Sequence, residues 1–245
     1  MQLWLCPFLA FLLGSIPFGL ILAKTRGIDI RQHGSGNIGA TNVLRVLGKP
    51  YGITCLLLDA LKGFIPVVIA LSLVQIEGRH PNLALPFLLP YALRLPAAQQ
   101  FDGQLFHVLT GLLAILGHNY SPWVGFKGGK GIATSAGVLL GLFPFFAVLL
   151  LGFIWLGLFL ATRYVSVASI GAAAALPLVT HLGARFHHLR DDKALPTLWE
   201  SGTWNKPLFA FAVVMALLAI WKHRANIQRL RAGTENRFVP KSKPL

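Results

Sequence analysis

The chain has 245 residues, 55% of them hydrophobic and only 12% charged, with a formal net charge of +14 at pH 7. A soluble domain carries roughly 25% charged residues, so the composition argues against an ordinary water-soluble fold. It also argues against a nucleic-acid binder, which needs a soluble basic face. Membrane proteins instead gather Lys and Arg in cytoplasmic loops, where anionic lipid attracts them.

Residues 3–23 form the first apolar run, uncharged throughout and close to the roughly 20 residues a helix needs to cross a bilayer core. No cation precedes the run and no small-x-small exit ends it, so it reads as a retained span rather than a cleaved leader. Further apolar segments at about 51–74, 105–117, 131–143, 145–162, 165–182 and 207–221 bring the expected number of transmembrane helices to about seven. Residues 131–162 run for 32 positions without a charge, too long for one span and short for two. Pro144 near the middle predicts a hairpin of one short and one full helix. Between the second and third segments, residues 75–104 are punctuated by Pro81, Pro86, Pro90 and Pro96 and read as a surface-lying or re-entrant piece. Cys6 and Cys55 lie in apolar runs and read as small hydrophobes. The expectation is an all-α membrane protein, a single domain over 1–245 with short or re-entrant polar loops.

With seven crossings, one side receives the motif loops at about 24–50, 118–130 and 163–169 and the tail 222–245, which carry 15 Lys and Arg. The other receives 75–104 and 183–206, which carry 6. The positive-inside rule then puts the motif loops in the cytoplasm, the N-terminus outside and the C-terminus inside.

The dense polar motifs all fall on that side. Residues 29–42 read DIRQHGSGNIGATN and lead to Arg45. Gly34, Gly36 and Gly39 let the backbone turn tightly, and successive N–H groups in such turns form anion-binding nests. Ser35, Asn37, Thr41 and Asn42 add neutral hydrogen-bonding groups, and the Arg45 fork suits phosphate oxygens. A solvated interhelical turn explains any one of these glycines, but not the density of the whole run. Residues 117–131 read GHNYSPWVGFKGGKG. Lys127 and Lys130 flank Gly128 and Gly129 just before an apolar helix, a favourable phosphate seat. It is not a P-loop, because Gly131 rather than Ser or Thr follows Lys130 and no strand precedes it. Two juxtamembrane lysines meeting lipid headgroups are an equally ordinary reading on spacing alone, and His118 and Asn119 at the same boundary favour function.

Ser166 and Ser169 stand one turn apart at the start of the sixth segment, where serines also commonly pack helices. The tail reads HRANIQRLRAGTE over 223–235. A basic amphipathic tail commonly means interfacial lipid contact, and the i, i+3 spacing of His223 and Asn226 also suits a shared polar pocket. Asp59 and Lys62 pair inside the second span. Such a pair is a functional hypothesis by default, and a structural brace for the loops is the preferred reading. His187 and Asp192 match the His-x-x-x-x-Asp spacing of acyltransferases that use acyl-CoA or acyl carrier protein. They lie in an expected external loop away from every other motif, and the match is set aside.

The ordered set GSIPFG at 14–19, GSGNIGATN at 34–42, Asp59-x-x-Lys62-Gly63, Gly117-His118 with FKGGKG at 126–131, and the tail His223-x-x-Asn226 with Gly233-x-Glu235 closely resembles the bacterial glycerol-3-phosphate acyltransferases that use acyl-phosphate (the PlsY family). The resemblance spans nearly the whole chain. The departures are the Pro-rich segment near 80–104 and the His-rich loop near 183–206, both long for the family. It implies transfer of a fatty acyl group to the sn-1 hydroxyl of glycerol 3-phosphate in the bacterial plasma membrane, facing the cytoplasm, as an early step of phospholipid synthesis. The expected partners are glycerol 3-phosphate, acyl-phosphate and membrane lipid. No cofactor or metal is expected, since the donor is an activated mixed anhydride and no cluster has metal-ligand spacing. On this reading Gly34, Gly36, Asn37, Thr41, Asn42, Arg45, Lys127, Gly128, Gly129, Lys130, Ser166 and Ser169 bind substrate, and Ser35, His118, Asn119, His223 and Asn226 serve the chemistry. A transporter for an organic phosphate or lipid is the rival; it predicts motifs reachable from both sides and repeat symmetry, and the sequence has neither. A non-catalytic lipid-binding scaffold would not need so many Gly-Asn-Lys clusters on one face.

Overall fold

The computed structural model describes residues 5–79, 83–190 and 206–238, with backbone alone over 184–190. All seven apolar segments are helical over most of their described residues. The first is broken into α1 (Leu5–Ser15) and α2 (Phe18–Lys24), because Pro17 has no N–H to donate and disfavours helix at Ile16. A short α3 (Ala40–Leu47) precedes the long α4 (Lys49–Leu73). Then come α5 (Gln100–Asn119), α6 (Ile132–Leu142), α7 (Phe145–Thr162), α8 (Val165–Arg190), α9 (Lys206–Lys222) and α10 (Arg224–Arg231). Residues 131–162 form one short and one full helix, as expected, with Phe143 and Pro144 outside either.

Among the described residues, length and apolarity qualify four stretches to cross a bilayer: Leu5–Lys24, α4, α7, and α8 over Val165–Gly183. The α9–α10 pair, bent by 52°, makes a fifth. These criteria support four to five of the expected seven spans. α5 has 20 residues but carries Gln100, Asp102, Gln104, His107, His118 and Asn119. α6 has 11 residues, roughly 17 Å at 1.5 Å per residue, against a hydrocarbon core of about 30 Å.

The helices group into two compact units, Met1–Pro144 and Phe145–Leu245. In the first, α1 packs on α5, α4 on α6, and α3 on α4. Glycines set how closely these helices approach. A Cβ at Gly14 would overlap the Ala114 carbonyl, and one at Gly137 the Ala60 carbonyl. Small residues at crossings are how membrane helices gain packing where no water drives them together. Beneath the first motif loop a cluster of Leu20, Ala23, Ile30, Ile38, Val43, Cys55 and Val124 forms a dry core.

The Pro-rich stretch departs from an all-helical fold. β1 (Val74–Ile76) and β2 (Leu93–Leu95) pair in parallel, with Val74 opposite Leu93 and Ile76 opposite Leu95. Prolines at 86, 90 and 96 deny a continuous helix there, and three-residue strands are too short to show alternation in sequence. Ser72 anchors the return by accepting the Leu85 N–H at 2.9 Å, and His107 Nε2 lies 2.8 Å from the Val74 carbonyl.

In the second unit α8 packs between α7 and α9. α7 leaves Phe145, Phe146, Leu149, Leu150 and Phe153 exposed, the surface a helix offers to lipid. Asp192 and the side chain of His187 lie outside the described residues.

Candidate functional site

In the first unit, residues 29–39 are folded by their own polar groups. Asp29 accepts the Arg31 N–H at 3.1 Å to cap a short turn, and the Arg31 guanidinium returns to the Asp29 carboxylate at 2.6 Å. The Arg31 hydrogen bonds hold the exposed Asp29 carboxyl down to about 2. Asn42 on α3, 2% exposed, is the hub. Its Oδ1 accepts the Ser35 N–H at 2.8 Å, and its Nδ2 donates to the carbonyls of Asn37 at 2.9 Å, His33 at 3.0 Å and Ile30 at 3.3 Å. Gly34 takes φ +61°, where a Cβ would overlap Asn42 Oδ1, so no other residue fits. Asn37 Oδ1 accepts the Gly39 N–H at 2.8 Å and completes the lead-in to α3. Asn42 therefore holds the loop from inside. Ser35, Gly36 and Arg45 are exposed, and Asn37 and Thr41 are half-buried.

Asp59 and Lys62 are buried on α4 with Nζ 2.7 Å from Asp59 Oδ1. Lys62 Nζ also donates to the Ile16 carbonyl at 2.6 Å, a group the break at Pro17 releases from the helix ladder. The neighbouring Ser15 carbonyl accepts from Ser121 Oγ at 2.6 Å, and Ser15 Oγ accepts from Trp123 Nε1 at 2.8 Å. Both carbonyls at the break thus accept a side-chain donor, one from α4 and one from the turn after α5.

His118 Nδ1 stands 3.7 Å from Asp59 Oδ1. Against its Nε2 sits Gly129, so close that a Cβ there would overlap the ring, and the Gly129 N–H donates to the His118 carbonyl at 3.1 Å. Gly128 lies on the same carbonyl, and a Cβ at Gly131 would come within 2.6 Å of Asn119 Oδ1. The FKGGKG glycines are moulded onto the end of α5. His118 is 4% exposed and Asn119 fully buried, while Lys127 is exposed and Lys130 half-buried on either side of the glycine pair. Gly131 opens α6, so the cations stand at a helix N-terminus with its positive dipole end. Thr134, fully buried in the first turn of α6, escaped the sequence reading. Its hydroxyl makes no hydrogen bond among the described residues, and its only signal was a lone Thr just past the glycine loop.

In the second unit, Glu235 collects the tail. Its carboxylate accepts from Ser166 Oγ at 2.9 Å, Asn226 Nδ2 at 2.6 Å and Arg229 Nε at 2.7 Å. Burial by itself would raise this carboxyl, but the hydrogen bonds from Asn226, Arg229 and Ser166 outweigh it and hold it below the usual range. Sequence reading noted Glu235 in the tail motif and gave it no role. Asn226 Oδ1 is buried and accepts no hydrogen bond among the described residues. His223 sits at the α9–α10 bend with Nδ1 2.8 Å from the Ala219 carbonyl. Ser169 Oγ accepts from Trp155 Nε1 at 3.2 Å, a packing contact between α7 and α8. Arg163, at φ +62°, makes the turn between these helices, and its carbonyl accepts the Phe238 N–H at 2.8 Å.

A family model described as glycerol-3-phosphate acyltransferase matches residues 4–233. The chain is 46% identical over 230 residues to the glycerol-3-phosphate acyltransferase of Geobacter metallireducens, covering 94% of each. Against that of Aquifex aeolicus it is 41% identical over 230 residues, covering 94% of this chain and 95% of the relative. Among solved structures it resembles PlsY (YgiH), an integral membrane glycerol 3-phosphate acyltransferase, at 36% identity over 98% of this chain and 96% of that one. The TM-score is 0.69 for the glycerol 3-phosphate form and 0.68 for the lysophosphatidic acid form. The chain belongs to the glycerol-3-phosphate acyltransferases, a family of integral membrane enzymes.

Proposed function

We propose that this enzyme takes its acyl group from acyl-phosphate and delivers it to the sn-1 hydroxyl of glycerol 3-phosphate, releasing lysophosphatidate and inorganic phosphate. It works as one domain in the bacterial plasma membrane, crossing about seven times, with the motif loops in the cytoplasm. The observation that supports the donor assignment is that the first unit holds two loops of the kind suited to phosphate. One is the Asn42-held glycine loop with exposed Arg45, the other the Lys127–Lys130 loop at the start of α6. Two phosphate-bearing substrates account for two seats; an acyl-CoA donor calls for a nucleotide site as well.

The hydroxyl oxygen of glycerol 3-phosphate attacks the acyl carbonyl carbon, forming the ester C–O bond. The C–O bond to phosphate breaks, and the hydroxyl proton passes to a histidine or a phosphate oxygen. Arg45, Lys127 and Lys130, with the Gly34–Gly36 and Gly128–Gly129 backbone around them, hold the two phosphates and neutralise charge gathering on the leaving one. Asn42 contributes through the loop it holds. Ser35, Asn37, Thr41, His118, Asn119, Ser166, Ser169, His223 and Asn226 orient the acceptor or meet the developing oxyanion. Purified protein given acyl-phosphate and labelled glycerol 3-phosphate should form acylated product and free phosphate in equal amounts, with acyl-CoA inert. Absence of product from either donor defeats the reading, and a trapped acyl-enzyme defeats direct transfer.

A further inference from the structure

The Asp59–Lys62 pair lies inside a helix, touches no exposed surface, and has no step assigned to it above. A brace for helix packing needs no buried charge, because an ion pair buried in a protein is often no more stabilising than well-packed apolar residues. Its contacts are specific. Lys62 holds the Ile16 carbonyl at the α1–α2 break at 2.6 Å, and Asp59 Oδ1 faces His118 Nδ1 at 3.7 Å. The opposite edge of that imidazole bears on Gly129 with no room for a methyl group, and Gly129 returns a hydrogen bond to the His118 carbonyl. One continuous run of contacts therefore joins a buried carboxylate to the loop that carries Lys127 and Lys130.

We infer that Asp59 is a positioning residue for the phosphate seat: with Lys62 it fixes the His118 imidazole, and His118 sets the height of the Gly128–Gly129 backbone and hence of the two lysines. His118 on this view acts as a strut under the loop. The inference rests on the assignment of Lys127 and Lys130 to the phosphate of glycerol 3-phosphate. Removing one charge alone strands the other in a dry interior, so the informative variant is the double substitution Asp59→Asn, Lys62→Met. Gly129→Ala perturbs the other end of the strut, and Gly129 does not occupy the left-handed region, so the atoms nearest the added methyl group are those of the imidazole.

Two readouts on the purified full chain test this. Hydrogen–deuterium exchange of residues 125–131 reports the loop, and calorimetric titration with glycerol 3-phosphate reports the seat. Both variants should speed exchange in 125–131 and weaken glycerol 3-phosphate binding by roughly tenfold or more, since a misplacement of about 1 Å at a positioned group costs up to ~100-fold. Combining them should add little, because both act through the same contact. Ser72→Ala, at the far end of α4 where Ser72 holds Leu85, should lower thermal stability and leave both readouts unchanged. A folded Asp59→Asn, Lys62→Met protein with normal exchange in 125–131 overturns the inference, as do fully additive effects. Should that variant not fold, Gly129→Ala with unchanged exchange and binding overturns it by itself. Wild-type protein that neither binds glycerol 3-phosphate nor uses acyl-phosphate instead defeats the proposed function, and the exchange arm still decides whether the strut exists.

Discussion

Glu235 shows what one carboxylate does among cations and amides. Three donors from α8 and the tail converge on it, and its side chain is 7% exposed, so these hydrogen bonds are poorly screened. A carboxyl whose folded value is depressed contributes stability above its unfolded value, 4.5 for glutamate, and loses it as pH falls through the folded one. The wild-type protein should therefore unfold at a higher temperature than Glu235→Gln at pH 7, and the gap should close progressively as pH drops below about 4.5. A gap that is constant down to acid pH would mean that the charge contributes nothing. Asn42 was legible in the sequence as a polar residue of the first motif. Its role as the hub of the loop was not, because its partners reach back as far as Ile30 and are defined only once the loop has turned on Gly34.

At the level of elements, the first unit is organised around a broken helix and glycine-lined crossings. Pro17 ends α1 early and frees the Ser15 and Ile16 carbonyls, which in an apolar setting must find donors. Ser121 and Lys62 supply them. The packing of α4 on α6 depends on Gly137, whose place against the Ala60 carbonyl admits no side chain. Gly137→Val should cost about 1–3 kcal/mol through overpacking, read as a lower unfolding temperature in detergent. Gly152→Val on α7, where a Cβ meets nothing within 4 Å, should cost far less. Equal losses from both would remove the crossing from the account. Helix positions were readable from hydropathy and from the prolines. The two-stranded ladder of 74–95 was not, because its pairing is non-local.

For the whole molecule, charge distribution is the strongest guide to orientation. The loops and tail bearing the motifs hold 15 of the 22 Lys and Arg, and under the positive-inside rule this bias is the basis of the cytoplasmic orientation proposed above. Exposed Trp221 with Arg224 stacked 4.7 Å over its ring gives the end of α9 the aromatic and cationic pairing of a membrane interface. In a background lacking Cys6 and Cys55, Glu77→Cys should react with an impermeant thiol reagent in spheroplasts, whereas Arg237→Cys should react only after lysis. The reverse pattern would invert the topology.

The sequence alone determined that the chain is a helical membrane protein and where its polar motifs lie. Those properties are local: hydropathy, proline and charge act along the chain whatever their later neighbours. Only the tertiary structure decided that the FKGGKG glycines are seated on His118 and Asn119, that Lys62 caps a carbonyl 46 residues away, and that Glu235 gathers Ser166, Asn226 and Arg229. Each of these depends on a buried polar group finding its partner or a backbone approach that excludes a Cβ, and neither is defined until distant segments pack.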